Sequence, residues 1–256
     1  MMMKMRIRNE RLIERYKQMF VLCLMLILMA FAGNSNATII DSFSTAQSLS
    51  LTTVGTVSSS VSSFGGDILG IERDMTLEML SGSGMSVQAD LGGFSILDQS
   101  QNSATTGKTT ITWDGVDGSS AIDYTGLGGI DLTEGGNNNS IIISVLFDDL
   151  PSELIVSAYT DSGNWSKYTA SLPGLIFSSP AIVVMAFDDF VAQAGSGVDF
   201  TNIGAISLIV NGALYGGTDM MLDNVETNTV PEPSTLILLA TGFAGVLYTA
   251  RKKSLK

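Results

Sequence analysis

An all-β body, an antiparallel β-sandwich of jelly-roll-like form, is the fold class this sequence predicts, flanked by an N-terminal signal helix and a C-terminal transmembrane helix. Three observations carry the expectation. Apolar residues alternate with polar ones at period two, as in Met75, Leu77 and Met79 around Thr76 and Glu78, or Leu154, Val156 and Ala158 around Ile155 and Ser157. Two runs, 141–147 and 181–187, are apolar at nearly every position and read as central strands covered on both faces or packed in the sandwich core. Turn signals recur at short spacing, among them Gly65-Gly66, Ser81-Gly82-Ser83-Gly84, Gly92-Gly93, Asp117-Gly118, Ser162-Gly163-Asn164 and Gly216-Gly217.

Taken in order, residues 1–37 read as a secretory signal peptide. Lys4, Arg6, Arg8, Arg11, Arg15 and Lys17 precede an unbroken apolar run over 19–31. Ser35-Asn36-Ala37 offers small residues at both positions that signal peptidase reads, which places cleavage after Ala37, with Ala30-Phe31-Ala32 as second choice. An uncleaved anchor is the alternative that the long leader leaves open. Cys23, the single cysteine, falls inside this segment, so the body carries no thiol and must be held together by its core.

Residues 38–229 are expected to form one β-sandwich domain, since all-β units of ~200 residues are common. Strands are expected at 38–43, 48–54, 75–79, 85–91, 109–113, 141–147, 154–159, 165–172, 181–187, 203–210 and 220–225. The stretch 42–63 is rich in Ser and Thr and reads as edge strand or loose segment. A lone helical candidate covers 188–194. No period of 20 to 50 residues repeats, which argues against a solenoid.

Charge and composition close several function classes. The body holds three basic residues, Arg73, Lys108 and Lys167, against 22 acidic ones, a surface that repels nucleic acid and anionic headgroups. The chain has no histidine, so Ser-His-Asp and Cys-His relays lack a base, and imidazole or thiolate metal sites lack ligands. Gly126-Leu127-Gly128-Gly129 has neither the lysine nor the following helix of a phosphate cradle.

Carboxylate chemistry remains. Glu72 and Asp74 share one strand face and, with Trp113 or Trp165 as sugar platforms, are the candidates for a paired-carboxylate glycosidase; the plain reading of Glu-Arg-Asp is a solvated edge. No resident cofactor is expected. A structural calcium has two candidate positions: the turn Asp114-Gly115-Val116-Asp117-Gly118, which lacks the terminal Glu of an EF-hand loop, and the pair Asp41 and Asp223 in the first and last strands. Trp113, Tyr124, Tyr159, Trp165, Tyr168 and Tyr215 could stack on sugars, although strand aromatics are mostly core.

The end of the chain, 230–256, has three parts in fixed order: Val230-Pro231-Glu232-Pro233-Ser234, an apolar segment from Thr235 to Ala250, and the basic stop Arg251, Lys252, Lys253 and Lys256. At ~1.5 Å per helical residue the apolar part covers about 24 Å, short of a ~30 Å hydrocarbon layer, so spanning needs local thinning or snorkelling of Arg251 and Lys252. Prolines at 231 and 233 forbid helix there and keep the motif extended at the membrane face. Basic residues flank the outer side of both apolar segments, which puts both chain ends in the cytoplasm and the body outside.

This order resembles the PEP-CTERM tail of bacterial proteins associated with exopolysaccharide and biofilm. The resemblance implies sorting by an exosortase, with Pro231, Glu232 and Pro233 as the sorting motif and the downstream helix a transient inner-membrane anchor. A plain linker before a permanent anchor is the alternative. The sequence thus points to an exported, non-enzymatic protein of the cell envelope or extracellular matrix. Its expected partners are signal peptidase, an exosortase, the membrane before processing, and exopolysaccharide; a secreted carboxylate-dependent glycoside hydrolase is the competing reading.

Overall fold

The computed structural model describes residues 37–176 and 179–229, which form two antiparallel sheets packed face to face. Nearly all of the signal segment, and the whole of the tail with Pro231, Glu232, Pro233 and the apolar segment expected to form a helix, lie outside the described residues. Among the described residues no helix is long and apolar enough to cross a membrane.

In the first sheet the order is β11 (Ala181–Ala186), β8 (Asn138–Asp148), β14 (Met220–Thr229), β6 (Leu97–Gln101), β5 (Met85–Ala89) and β2 (Gln47–Leu51), with β1 (Ile39–Asp41) also paired to β14. The second runs β12 (Val191–Ala194), β10 (Asn164–Leu172), β9 (Ser152–Asp161), β13 (Ala205–Asn211), β7 (Thr106–Trp113), β4 (Glu72–Ser81) and β3 (Gly55–Ser62). Sequence neighbours fall in different sheets at several points, so the two halves of the core are woven from the whole body. Alternation sends one face of each strand inward: Met75, Leu77 and Met79 of β4 meet Ile111 and Trp113 of β7, Leu208 and Val210 of β13, and Ile141, Ile143 and Val145 of β8 in one continuous apolar cluster. At about 25 cal/mol per Å² of apolar surface, this burial is the chief favourable contribution of a body without disulfides.

The predicted strands are present, with three corrections. The run 181–187 is not central: β11 is the edge of the first sheet, and Ile182 and Val184, on the face turned from the core, are 58 and 51 % exposed. The run 141–147 does lie inside, as β8, between β11 and β14. The helical candidate 188–194 is instead a single 3-10 turn, Phe187–Asp189, followed by β12. Phe190 adopts extended dihedrals after that turn, and Val191 and Ala192 pair with Lys167 and Ser166 of β10, so the backbone bonds are made across strands. The Ser-rich stretch 42–63 takes the edge-strand alternative, as β2 at the edge of the first sheet and β3 at the edge of the second, whereas β6 was not foreseen from its sequence.

Candidate functional site

β4 begins where Glu72, Arg73 and Asp74 separate to opposite faces, as period two requires. The triplet is not a solvated edge. β3 covers one side of β4 and β7 the other, and all three residues are buried. Arg73 turns into the sandwich, where its Nη1 donates to both oxygens of Asp41 at 3.1 and 3.2 Å and its Nε to Gln47 Oε1 at 2.7 Å. Trp113 Nε1 and the Phe43 N–H also donate to Asp41, at 2.9 and 2.8 Å. Burial pushes the Asp41 carboxyl up, against the pull of Arg73, whose Nη1 bridges both of its oxygens. This ion pair joins β1 of one sheet to β4 of the other.

Glu72 and Asp74 point the other way, onto the outer face of the second sheet beneath the loop that follows β7. Carboxylate oxygens of Glu72, Asp74 and Asp117 all lie within 4.8 Å of one another. Glu72 Oε1 accepts from the Gly118 and Asp117 N–H groups at 2.6 and 3.1 Å, and Oε2 from Ser62 Oγ at 2.9 Å. Against the upward push of burial, those donors hold Glu72 below the usual carboxylate range. Asp74 accepts from Ser60 Oγ with one oxygen, while its Oδ2 is buried without a partner. Asp114 accepts the Asp123 N–H at 2.7 Å with Oδ2, and its Oδ1 is likewise buried and unpartnered. Burial first, then the charges of Asp114 and Glu72, push Asp74 up to about 7; burial raises Asp114 too.

The loop lies flush on the sheet because glycines remove the Cβ at its closest approaches. A Cβ on Gly126 would stand 1.7 Å from the Asp114 carbonyl oxygen, and one on Gly70, at φ +72°, would meet Leu127 at 2.4 Å. Close approach at Gly126 and Gly129, and the left-handed φ of +71° at Gly128, account for the glycines of Gly126-Leu127-Gly128-Gly129 without a phosphate. The Leu127 N–H donates to the Gly204 carbonyl at 2.9 Å and carries Tyr124 over Tyr159.

An aromatic row results. Tyr124 meets Tyr159 edge-on at 5.2 Å, and Tyr159 stacks on Trp165 at 5.3 Å. Register places this row level with the acids: Trp165 pairs with Tyr159, Tyr159 with Ala205, and Ile206 with Trp113, one residue before Asp114. Tyr124 is 37 % exposed and Trp165 half-buried, so the row reaches solvent.

Of the predicted site residues, the structure unites Glu72 and Asp74 with both acids of the turn, Asp114 and Asp117. It separates Asp41 from Asp223: Asp41 is taken up by Arg73 and Trp113, and Asp223 is exposed where the β14 register slips. Trp113 is a fully buried core residue on the opposite face from Glu72 and Asp74, whereas Trp165 shares their face. Sequence reasoning missed the Asp41–Arg73–Trp113 group; it named Tyr124, Tyr159 and Trp165 among six aromatics that could meet sugars, but not that these three stack in one row. The one available signal for the first was Arg73, one of only three cations in the body.

Concavities of about 490 and 450 Å³ lie elsewhere. The larger contains Asp131, Asn138, Phe187, Asp188 and Thr201. There the Thr133 hydroxyl and the N–H groups of Gly135 and Thr133 hold Asp131 below its ordinary range, the reverse of what a general acid needs.

The family model of the PEP-CTERM protein-sorting motif matches residues 229–253. The chain therefore carries this sorting signal, which marks an exosortase-sorted protein exported across the inner membrane to the cell envelope. No curated protein matches the chain in sequence. Among solved structures, it is similar to the family 11 carbohydrate-binding module of the cellulosomal cellulase Lic26A-Cel5E of Clostridium thermocellum, at 12 % identity over 78 % of this chain and 98 % of that one, with a TM-score of 0.37. The family 30 carbohydrate-binding module of cellulase Cel9D-Cel44B of the same organism follows at 11 % identity, 73 and 99 % coverage and a TM-score of 0.35. The agarase AgWH50C aligns at 11 % identity over 60 % of this chain but only 22 % of its own length, with a TM-score of 0.37.

Proposed function

We propose that this chain is a non-enzymatic protein of the bacterial cell surface or extracellular matrix. Signal peptidase releases its N-terminus, and an exosortase acts at Pro231, Glu232 and Pro233 while the apolar helix holds the tail in the inner membrane. Its β-sandwich then contacts exopolysaccharide through the outer face of the second sheet. The observation that carries the contact is the row Tyr124, Tyr159 and Trp165 on that face, whose two ends, Tyr124 and Trp165, reach solvent on either side of the buried Tyr159. Aromatic faces bind the apolar faces of sugar rings, and neutral glycans suit a body with 22 carboxylates and three cations.

The hydrolase reading is not adopted. The oxygens of Glu72 and Asp74 lie within 4.8 Å of each other, closer than the ~5–5.5 Å of retaining and the ~6.5–9.5 Å of inverting carboxylate pairs. Both are buried under the β7–β8 loop, where no sugar can pass between them.

A glycan array with the purified full chain tests the proposal. Binding to one or more neutral polysaccharides is expected, reduced at least tenfold in Trp165→Ala and Tyr124→Ala; release of reducing sugar, or binding indifferent to both variants, would refute it.

A further inference from the structure

We propose that Glu72, Asp74 and Asp117, with Asp114 beside them, form a calcium site that clamps the β7–β8 loop to the outer face of the second sheet. Three features of the geometry converge. Ligand oxygens on opposite sides of a calcium ion, at 2.3–2.6 Å each, stand about 4.6–5.2 Å apart. The oxygens of Glu72, Asp74 and Asp117 fall within 4.8 Å of one another, inside the span that the ligands of one calcium ion cover. Asp74 Oδ2 and Asp114 Oδ1, on residues only 2 and 1 % exposed, are buried and accept no hydrogen bond from any N–H or hydroxyl group. Buried carboxylate oxygens are costly to leave unpaired, and a cation is the partner of highest worth.

No protein cation serves this role among the described residues. Arg73 lies on the opposite face of β4, held by Asp41, Lys108 pairs with Glu78 at 3.0 Å, and Lys167 sits on β10, with β9, β13 and β7 between it and β4. The donors that do reach the cluster, Ser60, Ser62 and the Asp117, Gly118 and Asp123 N–H groups, orient the carboxylates without neutralising them.

The ligand set selects the metal. All donors are oxygens, which excludes the preferences of zinc and copper. The cluster is irregular, with one side at exposed Asp117 open to water, which suits the six to eight flexible ligands of calcium better than the rigid octahedron of magnesium. Bound there, the ion ties β4 to a loop that also carries Tyr124, so it fixes the outer edge of the aromatic row. The site itself does not depend on any glycan being bound.

The test uses the full chain in mild detergent, stripped with chelator and melted in calcium chloride, magnesium chloride and sodium chloride at matched ionic strength. For a body of this size, calcium at a hundredfold excess over its Kd is expected to raise Tm by about 5–10 °C above the matched salts. Asp117→Asn, on the exposed rim, and Asp74→Asn, in the buried floor, should each lower calcium affinity at least tenfold by titration calorimetry. Asp161→Asn, in a turn of its own, should keep the full response. Equal melting in all three salts overturns the proposal. So does a calcium response that survives both cluster variants, since the ion would then sit elsewhere.

Discussion

Arg73 is the residue on which the two sheets depend most visibly. Replacing it with Met leaves the Asp41 carboxylate fully buried with only the Trp113 and Phe43 N–H donors. Removing one partner of such a pair costs about 3–5 kcal/mol, and urea unfolding at pH 7 is expected to show a loss of that size. Asp148 supplies a second test, through pH. Burial pushes its carboxyl up to about 6, with Oδ1 unpartnered and Asp149 adding to the rise. Because the folded value lies above the unfolded one, the folded state holds the proton longer. Stability is therefore unaffected below about pH 4, falls as pH rises to about 6, and stays lower above that, by at most about 3 kcal/mol. Asp148→Asn is expected to stabilise the protein at pH 7 and flatten this slope; an unchanged slope would contradict the account. At this scale the sequence revealed pairs two apart, placing Glu72 and Asp74 together on one face. It concealed that Arg73 meets Asp41, a contact 32 residues distant that only the packing of β1 over β4 creates.

Among the elements, legibility follows how well the inward positions announce themselves. β6 was unforeseen because two of its three core-facing residues are glutamines: Leu97 is followed inward by Gln99 and Gln101. β3 alternates Val57, Ser59 and Val61 against Thr56, Ser58 and Ser60, too little contrast for a periodic signal. β11 misled in the opposite way, since Ile182 and Val184 make it look covered on both faces when one faces solvent. This difference has a measurable consequence. Ile182→Ala is expected to change stability by no more than about 0.5 kcal/mol, whereas Ile143→Ala in buried β8 should cost about 2–5 kcal/mol. Comparable losses at the two positions in denaturant melts would mean that β11 is covered. The candidate site was half legible for a related reason. The pair 72/74 and the pair 114/117 each stood out locally, but their union rests on the β4–β7 register, Asp74 opposite Thr112, which no local pattern encodes.

For the whole molecule, the body's 22 carboxylates against three cations set a self-repulsion that salt should screen. Tm is expected to rise with sodium chloride from low ionic strength, before any specific effect of calcium is added. The PEP-CTERM match at 229–253 marks export, and the basic flanks confined to the two ends suit the itinerary proposed above, a tail held in the inner membrane and then released outside. The order of motif, apolar segment and basic stop was readable because it is local and needs no fold, unlike the acidic cluster. The most direct test of the account is the intact mass of the protein recovered from a host with its exosortase and from one without. Loss of the apolar tail only where the enzyme is present, with less loss in Glu232→Ala, is the expected result; a chain still ending at Lys256 in both hosts would contradict it.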